Sequence, residues 1–196
     1  MYKLCKTERS ATRQREIELA LLDVMTKRRF EDITVSEVCD GISVPRKAFY
    51  RYFDSKEGAL RALIDHTMAD FGQTPIIYGK RGQRTLSQDI EQFFLFWQNN
   101  KALLFALEKS GLFSHLVDAA VDFPMKDMVS LEKFLPDDSD YMRRSVFKFA
   151  ICGLMFTMLS WYKSGFKESP KEMAKAACRM LSQPLFPHLD KIGIVE

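Results

Sequence analysis

Three helix-start signals crowd the stretch from Thr34 to Glu57 and leave room only for short helices between them. Thr34-Val35-Ser36-Glu37 has the form of a capping box, in which the threonine hydroxyl accepts from the N3 amide while the glutamate reaches back to the cap's own N–H. A helix is therefore predicted to begin at Val35. It can hardly extend beyond Ile42, because Pro45 disfavours the helical conformation at Val44. Pro45 in turn suits the first position of a second short helix, to about Tyr52, since its missing N–H would have no intrahelical partner there. Asp54-Ser55-Lys56-Glu57 then opens a long helix to about Phe71. Two short helices around a turn of about three or four residues have the spacing of a helix-turn-helix.

The second of these helices is basic and aromatic by turns. In PRKAFYRYFDSK, the charges of Arg46, Lys47, Arg51 and Lys56 interleave with Phe49, Tyr50, Tyr52 and Phe53. Arg46 and Lys47 fall on the first exposed turn, where an arginine can donate bidentately to guanine O6 and N7. Tyr50 can donate its hydroxyl to a phosphate, and Lys56 can add a phosphate contact at the next helix start, helped by the helix dipole. Spacing alone leaves two readings open, a DNA-reading helix or a solvated basic face over aromatic core residues.

Elsewhere the pattern is helical throughout. Ile17, Ala20, Leu21, Val24 and Met25 share one face of a helix from about Thr12 to Arg28, and Leu86, Ile90, Phe93, Phe94 and Trp97 share another that ends at Asn99-Asn100. Shorter helices are expected at Ala102–Lys109 and Leu112–Val129. The loop LPDDSD opens a helix from about Asp140 to Ser164, with Gly165 placed for its left-handed C-terminal position. Ser169-Pro170-Lys171-Glu172 stacks a cap, an N1 proline and an N3 glutamate for a last helix to about Leu181. With 9 glycines and 7 prolines against 10 methionines and 16 phenylalanines, helices packed on helices are expected rather than turn-rich sheets. The fold class is all-α, with about nine helices.

The stretch from Gly72 to Thr85 gathers glycines, a proline and basic residues, which marks a linker. We divide the chain into a helix-turn-helix part, residues 1–55, and a larger helical part, residues 56–196, with the helix 56–71 connecting them. Net charge is only +3, so any nucleic-acid surface must be local. Cys5, Cys39, Cys152 and Cys178 form no C-x-x-C pair, and His66, His115 and His188 show no metal-binding spacing. Neither a metal nor a cofactor is expected. The opening MYKLCKTERSATRQRE has no apolar core, so no secretory signal is expected, and the thiols suit a reducing cytoplasm. The longest apolar run, Phe149 to Tyr162, is short of the ~18–20 residues that cross a bilayer, and a buried soluble helix is expected. No P-loop, dinucleotide fingerprint, G-x-S-x-G or paired acid and base is present, which argues against an enzyme.

The segment TVSEVCDGISVPRKAFYRYFDSK resembles the TetR-type helix-turn-helix, T-x-x-x-I-A-x-x-A-G-V-S-x-x-T-[LF]-Y-x-[YH]-F-x-[SD]-K-E. Thr34, Val38, Val44, Phe49, Tyr50, Tyr52, Phe53, Lys56 and Glu57 match in register. Ser43-Val44-Pro45 stands where Gly-Val-Ser is usual, and Ala48 where threonine is frequent. The ending GLMFTMLSWYKSGFKESPKEMAK is similar to a subgroup with a W-x-x-x-G-x-K-E-S-P-x-E-M-A pattern. The resemblance implies a homodimeric regulator, more often a repressor, that binds an inverted-repeat operator in double-stranded DNA. The implied DNA contacts are Thr34, Ser36, Pro45, Arg46, Lys47, Ala48, Tyr50, Arg51 and Lys56.

The helix from Asp140 is apolar almost all round, so one side must meet its own domain and another side something else, most simply a partner subunit. By the resemblance, the dimer contact falls on Phe156, Leu159, Trp161, Met173 and Ala177. It also implies an effector pocket, with Phe93, Phe94, Trp97, Phe113, His115, Phe149 and Met155 as lining and an apolar or aromatic small molecule as ligand. A stripe of this kind is more often plain core. An alternative is a regulator controlled by protein docking at the C-terminal part, without a small molecule.

Overall fold

Helix caps set the architecture, because those read at Thr34, Ser55 and Ser169 each open a helix where expected. The computed structural model describes residues 1–73, 85–122 and 139–182, and among them it shows nine α-helices and no strand longer than an isolated bridge. In chain order these are α1 (Glu8–Lys27), α2 (Val35–Asp40), α3 (Arg46–Tyr52), α4 (Lys56–Gly72), α5 (Leu86–Asn99), α6 (Lys101–Lys109), α7 (Phe113–Asp122), α8 (Asp140–Lys163) and α9 (Pro170–Ser182), with one 3-10 turn at Phe30–Asp32. The all-α class and the N-terminal three-helix arrangement are as expected.

The chain forms two compact units, Met1–Gln73 with Asn100–Phe123, and Thr74–Asn99 with Pro124–Glu196. In the first, α1 buries Ile17, Leu21 and Met25 against α4 and α6, and α4 turns Leu63, Ile64 and Met68 inward and packs on α7. Polar ties fasten the edges. The amide of Phe30 donates to Ser110 Oγ at 3.0 Å, and Lys109 Nζ donates to the Thr26 carbonyl at 3.2 Å. This division by packing cuts the chain differently from a functional division at residue 56, because α4, α6 and α7 bury their apolar faces in the unit that holds α1.

The second unit is built from α5, α8 and α9. Phe94 and Trp97 of α5 and Ala174 and Ala177 of α9 are buried, and α5 and α9 pack closely. The end of α8 is a Schellman turn. The Phe166 amide donates to the Trp161 carbonyl at 3.0 Å and the Gly165 amide to the Tyr162 carbonyl at 2.9 Å. Gly165 takes φ 80°, as this turn requires, and the Phe166 ring seals the turn against Trp161 with ring centroids 4.6 Å apart.

Several boundaries differ from the sequence reading. Helix α1 starts at Glu8 rather than Thr12, because Thr7 and Ser10 form a reciprocal capping box without the usual glutamate. Pro45 is the cap of α3, with φ −70° and ψ 146°, and Arg46 is the first helical residue. The expected helix Leu112–Val129 is α7 as far as Asp122, and its remainder lies outside the described residues, as do 74–84 of the expected linker. Helix α8 spans 24 residues and contains an 18-residue window of mean hydropathy 1.3, so by length and composition it could cross a membrane, contrary to the count on its apolar run alone.

Candidate nucleic-acid interface

The capping box of α2 forms as expected. Thr34 Oγ1 accepts from the Glu37 amide at 3.3 Å, and Glu37 Oε2 accepts from the Thr34 amide at 2.7 Å. The Thr34 amide and hydroxyl, with Arg28 beside them, hold the Glu37 carboxyl below its ordinary range. Val38 and Cys39 are buried, which leaves Ser36 half-buried and Thr34 at the surface. The turn into α3 is tight, since the Ser43 amide donates to the Asp40 carbonyl and the Val44 amide to the Cys39 carbonyl. Ser43 occupies the left-handed region at φ 54°, at the position where the resembling family carries glycine.

Helix α3 divides cleanly by face. Phe49 is fully buried, Tyr52 nearly so, and Phe49 packs on Phe53 with ring centroids 5.1 Å apart. Arg46, Lys47, Tyr50 and Arg51 are exposed beside the cap Pro45, with Ala48 half-buried at the edge. Arg46 and Tyr50 lie one turn apart, and an Arg46 Nη2 donates to the Tyr50 hydroxyl at 3.3 Å while its guanidinium stands 5.9 Å from the ring centre. The tyrosine therefore holds the arginine in place on the exposed turn.

Lys56 is placed otherwise than expected. Its Nζ donates to the carbonyls of Phe30 at 2.8 Å, Glu31 at 2.9 Å and Ile33 at 2.9 Å, which uses all three of its protons. The ammonium also stands 4.9 Å from the Phe30 ring centre. It fastens the start of α4 to the 3-10 turn that leads into α2.

A further brace was not readable in the sequence. Tyr2 pairs with Phe53 in an isolated antiparallel bridge, the Lys3 amide donates to the Tyr52 carbonyl at 2.9 Å, and the Tyr2 hydroxyl donates to Asp65 at 3.1 Å. Residues 2–3 thus strap the end of α3 to α4. Burial together with the Asp65 carboxylate pushes the Tyr2 phenol up to about 12.

The other candidate residues separate into groups. Phe93, Phe94 and Trp97 form one aromatic cluster on α5, with Phe93 at 5.3 Å from Phe94 and 6.5 Å from Trp97 between ring centroids. Met155 is buried in the same unit, but Phe149 is 68% exposed on α8, and Phe113 and His115 belong to the other compact unit. Of the expected dimer contacts, Phe156 is 57% exposed, Leu159 and Met173 are half-buried, and Ala177 is buried. Trp161 is a core residue at 2% exposure. Its ring meets Phe94 at 5.4 Å and its Nε1 donates to the Glu168 carbonyl at 2.9 Å. Among the described residues, no group of three or more histidines, cysteines or carboxylates could hold a metal ion.

The fold and the exposed basic helix define a helical protein with an N-terminal helix-turn-helix. Residues 20–63, which span α2 and α3, match the family described as bacterial regulatory proteins, tetR family. Solved structures share the fold over nearly the whole chain. The fatty acid degradation regulator FadR from Bacillus halodurans is 14% identical, with TM-score 0.68 over 93% of this chain and 98% of its own. A protein assigned to the TetR regulators from Syntrophomonas wolfei str. Goettingen is 15% identical, with TM-score 0.64 over 94% and 97%. The dihydroxyacetone kinase operon activator DhaS is 16% identical, with TM-score 0.59 over 87% and 94%. No curated protein matches the sequence. The family match covers the helix-turn-helix segment, and the solved structures share the fold around it.

Proposed function

We propose that the protein is a TetR-type transcriptional repressor that binds an inverted-repeat operator as a homodimer and is released by an apolar or aromatic small molecule. The observation that carries this reading is the division of α3. A short helix held by Phe49 and Tyr52 presents Arg46, Lys47, Tyr50 and Arg51 together to solvent, beside a brace, α2, that packs on it. Charge, hydroxyl donor and helical form are what a major groove accepts.

The dimer reading is supported by α8. Its exposed side carries Met142, Val146, Phe149, Gly153 and Phe156, spaced alternately four and three apart, an apolar seam of the kind that pairs helices. The aromatic cluster of Phe93, Phe94 and Trp97 supports an apolar or aromatic effector, which would be bound with few charged contacts. The role is regulatory rather than catalytic, exercised in the cytoplasm and without a cofactor.

The test is a selection of duplexes from a random pool by the full-length protein, followed by titration of the selected duplex with a panel of apolar compounds. Selected sites with dyad symmetry, and a compound that raises the thermal midpoint and weakens DNA binding, are the expected results. A pool that stays random after selection would refute the DNA reading. Operator binding that no compound changes, with a protein co-purifying on the C-terminal part, would replace the small molecule by a docking partner.

A further inference from the structure

We propose that the first turns of α1 form a second wall of the DNA interface, where Arg9 together with Arg51 of α3 closes a groove that seats a backbone phosphate of the duplex. The inference rests on the reading of α2 and α3 as the DNA-binding unit and adds a contact outside it. The groove has a volume of 820 Å³, with the start of α1 on one side and Ala48, Arg51 and Tyr52 on the other.

The serine and threonine hydroxyls of the groove are already engaged. Thr7 and Ser10 cap each other, and Thr12 Oγ1 donates to the Glu8 carbonyl at 3.0 Å. The guanidiniums differ. Arg13 pairs with Glu16 at 2.7 Å, whereas Arg9 and Arg51 are exposed and pair with no carboxylate among the described residues. Once that pair is set aside, two open guanidiniums face one remaining carboxylate, Glu8. The balance favours an anion, and the planar donor fork of arginine matches phosphate oxygens.

Position decides which anion. On α3, Arg46 and Tyr50 make one exposed stripe, and Lys47 and Arg51, also four apart, make the stripe beside it toward α1. When the first stripe lies along base edges, the neighbouring stripe meets the wall of the major groove, which is sugar and phosphate. The α1 side of the groove then stands where the backbone passes. A phosphodiester held there fixes register and carries no sequence information.

The experiment measures binding of the full-length protein to a selected and a scrambled duplex across a salt series, with folding followed by circular dichroism. Arg9→Ala and Arg51→Ala are expected to weaken both duplexes alike and to lower the salt slope by about one each. Glu8→Gln is expected to tighten both, and Arg144→Ala, an exposed arginine of the other compact unit, to change neither. Adenosine monophosphate is expected not to compete. If Arg9→Ala keeps the parental affinity and slope while Arg46→Ala loses sequence preference, the groove does not touch DNA, although the reading of α3 stands. Saturable binding of adenosine monophosphate that Arg9→Ala abolishes, with the DNA salt slope unchanged, would assign the groove to a free nucleotide and overturn the proposal. Failure of the parent protein to bind any duplex would remove the DNA reading and this contact with it.

Discussion

Ser43 pays a conformational cost that its neighbours do not. At φ 54° an L-residue with a Cβ is disfavoured, and Ser43 takes this conformation in the turn where the Val44 amide reaches the Cys39 carbonyl. Ser43→Gly is expected to raise stability by about 1 kcal/mol, measured by chemical denaturation, without changing DNA sequence preference. Lys56 makes the opposite case, a long polar side chain engaged by backbone. Removal of an ammonium that satisfies three carbonyls in Lys56→Ala should cost about 2 kcal/mol of stability. The same variant should leave the salt slope of DNA binding at the parental value. A lysine on phosphate would do the reverse, so one pair of measurements separates the two roles.

At the scale of helices, α1 and α4 are joined by a cluster of ionisable groups that changes with pH. Glu18 is fully buried, and His66 Nδ1 lies 2.9 Å from both of its oxygens, while Arg15 bridges Glu18 at 3.0 Å and Asp70 at 2.9 Å. The hydrogen bond to Glu18 raises the His66 pKa from its ordinary 6.5, against the opposing effect of burial. Because the folded value lies above the unfolded one, the stabilisation is complete below pH 6.5 and is lost as pH rises through the raised value. The stability difference between parent and His66→Gln, followed by urea denaturation, should therefore be largest in mild acid and shrink toward alkaline pH.

What was readable in the sequence at this scale followed from distance along the chain. The boxes at Thr34 and Ser169 act within one turn, and both were legible. The box at Thr7 escaped because Ser10 replaces the glutamate that marks such motifs. The partners of Lys56 lie between Ile33 and Phe30, far back in the chain, so its helix-start position suggested a phosphate. On α8, apolar nearly all round, periodicity could not tell the core face from the outer one. Only packing shows that Trp161 faces Phe94 while Phe149 and Phe156 face outward.

For the molecule as a whole, that distinction changes which substitution tests assembly. Phe149→Glu and Phe156→Glu place charges on the exposed seam and should give a soluble monomer by sedimentation. Trp161→Glu should instead unfold the second unit, because it puts a carboxylate in a core site and removes the hydrogen bond to Glu168. A Phe149→Glu, Phe156→Glu double variant that remains dimeric would exclude this seam.

The fastening of Lys56 has a mechanical consequence. Since α4 begins by gripping the turn ahead of α2, and residues 2–3 tie α3 to the same helix, a displacement of α4 carries brace and reading helix together as one stiff body. The fit of each such body to its own half-site would survive the movement. On the proposed function, a two-fold pair released by an effector, the quantity that changes is the span between the two bodies, so lengthening or shortening the operator's central spacer should mimic or cancel the effector.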